Sequence, residues 1–181
     1  MTRIPAGSDA FEAMRALDSE REVAAVTVCL AGSGPDSAER DDDRIAARVA
    51  ETCFAAWCFP RLDAWLDTLL DFDRGYYVRN GLADRAGAPR AAGLVVRHLH
   101  AVLAGLGPVS AAPVIEDGQR GRRISVLAGS SRVTLRLARS DSAGRPDDPA
   151  QEQWADLGVD LAGGSATGGT GPSLKIEPIG A

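Results

Sequence analysis

Histidine is almost missing from this 181-residue chain, which has only His98 and His100. Two positions apart on a predicted helix, they point about 160° away from each other and do not converge on one metal. A serine or cysteine triad has no obvious base beyond one of these two. The three cysteines, Cys29, Cys53 and Cys58, are odd in number and each lies in an apolar stretch. That pattern argues against a disulfide framework and for buried thiols in a reducing compartment. Nowhere is there a run of about 18 apolar residues for a membrane span, and the N-terminus lacks an uninterrupted apolar signal core. A cytoplasmic location is therefore expected, with no membrane partner.

Positive charge is also in deficit. The net charge is -5 and the pI is about 5.0, whereas a general nucleic-acid binder needs a net basic face to neutralise phosphates, so nucleic acid is an unlikely partner. Two glycine-rich stretches approach phosphate-binding motifs without completing them. Gly164 and Gly169 have the spacing of a P-loop, but Thr170 stands where its lysine belongs. Gly32 and Gly34 follow a predicted strand but lack the third glycine of a dinucleotide fingerprint. Neither a cofactor nor a metal is implied.

What is present is patterned apolar sequence. A 45% hydrophobic fraction over this length is enough for one core. A short helix is predicted over 9–20, capped by Ser8 or Asp9, and the β-branched run Val23 to Leu30 reads as a buried strand, with a continued helix as the alternative. Three aspartates at 41–43 lead into a broad-faced helix in which Ile45, Val49, Cys53 and Trp57 repeat every four residues. Pro60 breaks it. Leu62, Trp65, Leu66, Leu69 and Leu70 then predict a second helix by their i, i+3, i+4, i+7, i+8 spacing. Glycines punctuate a connection over 73–89, and a third long helix is expected from Arg90 to about Leu106. Beyond it the period changes to two: Ile124, Val126 and Ala128, then Val133, Leu135 and Leu137, flank Gly129-Ser130-Ser131 as a hairpin, with Arg132 and Arg136 on its solvated face. Pro113 to Glu116 is a further candidate strand. From Ser140 onward two polar and glycine-rich stretches flank small apolar islands at 154–161 and 174–179.

These elements predict an α+β fold in which N-terminal helices pack on a small antiparallel C-terminal sheet. A core domain is expected over 1–139 and a flexible or extended C-terminal arm with short docking segments over 140–181. The order Asn80-Gly81-Leu82-Ala83-Asp84, an amphipathic helix and then strands is similar to the small wedge protein of contractile-tail baseplates over about a third of the chain. Gly107-Pro108-Val109 stands where that family carries Glu-Pro-Arg, and no membership is assigned.

With no catalytic constellation visible, the candidate residues are those suited to partner binding. Asp63, Asp67 and Asp71 stand four apart on the outer face of the predicted second helix, where like charges repel unless solvated or met by a basic partner. Tyr76, Tyr77 and Arg79 sit in a loop of the composition favoured at interface hot spots. Trp154, Leu174 and Ile176 mark the apolar islands of the tail, which can add a strand or dock on a neighbour. Residues 36–73 are net acidic and 74–97 net basic, so these segments can attract each other within one molecule or between copies. The resulting expectation is a non-enzymatic interaction component, namely an adaptor, chaperone or assembly subunit of a bacterial complex, engaging a protein partner or itself. The alternative is a small enzyme or ligand-binding protein that uses Asp and Arg side chains.

Overall fold

The computed structural model of the chain describes residues 1–20, 25–30, 42–70, 72–73, 77–78, 81–118, 121–138, 158–160 and 172–179. Its first half winds strand, helix, strand, helix, strand. β1 (Thr2–Ile4), β2 (Ala25–Val28) and β3 (Asp63–Leu66) form a parallel sheet in that order, joined by α1 (Ala10–Glu20) and α2 (Asp42–Cys58). The Asp9 carboxylate accepts the Glu12 N–H at 2.9 Å and caps α1, which buries Phe11 and Met14. α2 buries residues around much of its circumference, from Ile45 and Val49 to Phe54 and Cys58. It packs against α1, α3 (Ala91–Leu103), β3 and the antiparallel sheet, and so forms the axis of the core.

The predicted helix over 61–70 is instead β3 and the bend that follows it. Helical spacing was present there, but the chain leaving α2 runs back beside the open edge of β2, which offers a four-residue ladder from Ala25↔Asp63 to Val28↔Leu66. Tryptophan suits a strand, and extension separates aspartates that would repel one another at i, i+4 on a helix. Tertiary pairing overrode the local period. Of the five apolar residues only Leu62 is buried, and Trp65, Leu69 and Leu70 are exposed.

β4 (Phe72–Asp73) and β5 (Tyr77–Val78) then pair antiparallel over two residues each. The connection into α3 is organised by Asp84, whose carboxylate accepts the N–H groups of Ala86 and Ala88 at 2.9 and 2.8 Å around Gly87, at φ +83°. The second half is antiparallel: β6 (Val114–Gly118), β7 (Gly121–Ala128), β8 (Ser131–Ala138), β9 (Gly158–Asp160) and β10 (Ser173–Pro178), in the order β6-β7-β8-β10-β9. β7 and β8 turn at Gly129, φ +55°, as the hairpin pattern implied. The fold is α+β, with helices first and an antiparallel sheet after them, and the two described strands of the C-terminal segment, β9 and β10, pair onto that sheet. Ile124, Val126, Val133, Leu135 and Leu174 face inward and join Phe11, Val49, Phe54, Val95 and Leu99 in one core.

Candidate interaction surfaces

Alternation places Arg122 in the same register of β7 as Ile124 and Val126, on the core-facing side. A guanidinium there needs partners, and three acids from three elements supply them. Arg122 Nη1 lies 2.5 Å from Asp9 Oδ2 and donates to Glu51 Oε1 at 2.9 Å, while Nε and Nη2 donate to the two Asp117 oxygens at 2.9 and 3.1 Å. The hydrogen bond to Asp117 is the main reason the guanidinium holds its proton more tightly than usual, with Asp9 and Glu51 assisting against the cost of burial. Burial, reinforced by Asp9, pushes the Glu51 carboxyl above its ordinary range, and Arg122 and Arg48 only partly oppose this. The cluster joins the α1 cap, the middle of α2 and the β6–β7 edge, so it ties the parallel unit to the antiparallel sheet.

A second group lies at the carboxyl ends of the parallel strands, where open α/β sheets commonly hold ligands. Here the polar groups are spent on the chain itself. Arg48 donates to the backbone carbonyls of Cys29, Ser8 and Pro5, each at 2.6 Å. Asp67 accepts the Leu30 N–H at 3.0 Å and the Thr68 hydroxyl at 3.2 Å. Arg3 donates to Cys29 Sγ at 2.8 Å and lies 3.9 Å from Asp67 Oδ2. These are loop clamps. Among the described residues, no group of three or more His, Cys, Asp and Glu side chains is placed to hold a metal ion.

The three-stranded sheet presents one face to the helices, through Ile4, Val26 and Val28, and the other outward, through the register partners Arg3, Thr27 and Trp65. Parallel sheets usually have both faces covered. Trp65 on this outer face is 60% exposed, and Leu69 and Leu70 follow at 67% and 43%. Three of the seven exposed large hydrophobic residues among those described thus fall within six positions at one sheet edge. Thr27, in the middle of the row, has a hydroxyl shielded from solvent and without a hydrogen-bond partner among the described residues.

The antiparallel sheet has a different outer face. Glu116 on β6, Arg123 and Ser125 on β7, Arg132, Thr134 and Arg136 on β8, and Lys175 and Glu177 on β10 share it by register. Toward the β6–β7 turn it runs into an open cleft of about 370 Å³ bordered by Glu116, Asp117, Gly118, Gly121, Arg122, Arg123 and Arg136.

The residues singled out from sequence are scattered by the fold. Asp63 and Asp67 lie on β3 and the bend after it, so they do not share a helical face. Asp67 turns inward to the Leu30 amide. Tyr77 pairs with Asp73 through β5 and β4; Asp71, Tyr76, Arg79 and Trp154 lie outside the described residues. Leu174 is 1% exposed, within the core, and Ile176 is 37% exposed. The predicted attraction between the acidic and basic segments is seen, among the described residues, in the ion pair of Asp42 with Arg90, which joins the start of α2 to the start of α3. Sequence reasoning passed over Glu51, Arg48 and Arg122. Arg122 had a signal: a charge in the inward register of an alternating strand requires a buried counter-charge.

No helix among the described residues is long and apolar enough to cross a membrane. No protein-family model matches the chain, and no curated protein matches it, so the partial likeness to the baseplate wedge family carries no further argument.

Proposed function

We propose that the chain is a non-enzymatic interaction component, an adaptor, chaperone or assembly subunit of a larger complex, which docks a protein partner over the outer face of its parallel sheet. The supporting observation is the concentration of exposed Trp65, Leu69 and Leu70 at one edge of the parallel sheet. Buried tryptophan is among the strongest interface anchors, and losing a central one costs about 2 kcal/mol or more, roughly thirtyfold in affinity. The second reading, a small-ligand binder using Asp and Arg, draws on the cleft beside Arg122 and Arg123. It is less well supported because the carboxylates bordering that cleft are already held: Asp117 by Arg122 at 2.9 Å and Glu116 beside Arg123 at 4.0 Å.

The test is recovery of the tagged full-length protein from its own cells beside a Trp65→Asp, Leu69→Asp variant, with light scattering on both. A stoichiometric partner, or a defined oligomer, held by the parent and lost from a variant with unchanged melting temperature is the expected result. A monomer with no partner in either case overturns the reading, as does a partner retained equally by both.

A further inference from the structure

The last described strand in chain order does not lie at the margin of its sheet. β10 sits between β8 and β9, paired with β8 from Ser173↔Arg136 to Pro178↔Ser131 and with β9 from Ser173↔Asp160 to Lys175↔Gly158. Asp160 and Ser173 are direct register partners, and antiparallel neighbours in that relationship are commonly joined by about two to five residues. Residues 161–172 join them here, a glycine-rich stretch with a maximum reach of about 40 Å. That length lets β10 be laid on another molecule while the helices and β6 to β8 keep their places.

What holds β10 is transferable. A main-chain ladder is blind to side chains, and selectivity in strand addition comes from the alternate side chains that enter the inner face of the sheet. In β10 those are Leu174, 1% exposed opposite Leu135, and Ile176, 37% exposed opposite Val133. Lys175 and Glu177 pair with each other at 2.7 Å, so this ion pair moves with the strand. β8, by contrast, has to be covered. Its Val133 and Leu135 are fully buried, and a bare edge carrying such residues is a template for another strand. The segment seen to fit that edge is Ser173–Pro178, and every copy of the chain carries one.

We infer that β10 is an exchangeable strand and that the β8 edge docks the same segment of a second copy. Reciprocal exchange gives a closed pair of chains in which each β8 keeps its ladder and each Leu174 its place in a core. The unexchanged and exchanged forms share these contacts, so concentration sets the balance between them. A tethered strand has an effective concentration on the order of 1 mM, which makes exchange a property of closely gathered copies, as within an assembly. This surface is distinct from the Trp65 edge, and the inference stands or falls separately from it.

The experiment is fluorescence anisotropy of a labelled peptide of residues 171–181 with the full-length parent and with full-length Leu174→Asp, whose own strand is spoiled. The variant should bind the peptide about tenfold more tightly than the parent, because its tethered strand no longer competes. A peptide that itself carries Leu174→Asp should not bind. In parallel, the parent is concentrated to about 1 mM, diluted and passed at once over a sizing column. A dimer that reverts slowly to monomer is expected, because β10 must leave one β8 before it regains the other; this readout decides alone should the variant not fold. A folded variant that does not take up the peptide overturns the inference, as do equal binding of the altered peptide and a parent that stays monomeric throughout.

Discussion

Arg122 reaches from β7 to Glu51 in the middle of α2, Nη1 to Oε1 at 2.9 Å, joining residues 71 apart in the chain. The pair is half of a larger arrangement, since Asp9 and Asp117 draw on the same guanidinium and Asp9 adds negative charge near Glu51. Glu51 therefore binds its proton more tightly in the folded chain than at its ordinary value of 4.5. Between that value and the higher folded one, the folded state carries more protons than the unfolded state, so the contribution of Glu51 to stability is fully present below pH 4.5 and is lost as pH rises through the folded pKa. Glu51→Gln retains an acceptor for Arg122 without titrating. Thermal unfolding across this range should show the parent losing ground to Glu51→Gln as pH rises; a difference in melting temperature independent of pH would contradict the burial argument.

Thr27 offers a stabilising change. Its hydroxyl is shielded and unpartnered, so valine, which has the same shape and a stronger strand preference, removes a desolvation cost without opening a cavity. Thr27→Val should gain about 1 kcal/mol in urea unfolding with an unchanged m-value.

Gly93 reverses the usual helix rule. In an exposed helix interior, alanine in place of glycine gains about 1 kcal/mol. A Cβ at Gly93 would overlap the Leu82 carbonyl oxygen, which also accepts the Arg90 N–H at 2.9 Å at the start of α3. The obstacle is backbone and cannot swing aside, so Gly93→Ala should lose about 1 to 3 kcal/mol, measured by the same denaturation.

Leu174 tests how far the C-terminal strand belongs to the core. It pairs with Leu135 and is 1% exposed, so Leu174→Ala should cost about 2 to 5 kcal/mol, whereas Ile176→Ala, at a half-open position, should cost less. A chain ending at Arg139 should also lose stability, because it bares the edge of β8 along with the core it covers.

The thiols of α2 should be inert. Burial pushes Cys53 up to about 11 and Cys58 up to about 12, leaving little thiolate near neutrality. Alkylation of the native protein at pH 7.5 should leave both unmodified until denaturant is added.

Legibility followed the range of the forces involved. Where a pattern was confirmed locally, as in α1, α2, α3 and the β7–β8 hairpin, alternation or helical spacing agreed with nearby caps and turns, and the elements could be read within a few residues of their ends. The segment 61–70 failed because its apolar spacing suited a helix equally well, and only the arrival of β2 alongside it decided for a strand. The candidate surfaces were hidden for a related reason. Asp63 and Asp67 lost their common helical face when the helix did, and Leu174 became a core residue when β10 paired with β8. The sequence by itself determined the class of fold, the scarcity of histidine and cysteine and the inward set of the hairpin. Tertiary structure alone decided which charges meet at Arg122, that Trp65 stands exposed at a sheet edge and which arginines stand opposite each other, because pairing between distant strands depends on the register of the whole chain and not on any one stretch of it.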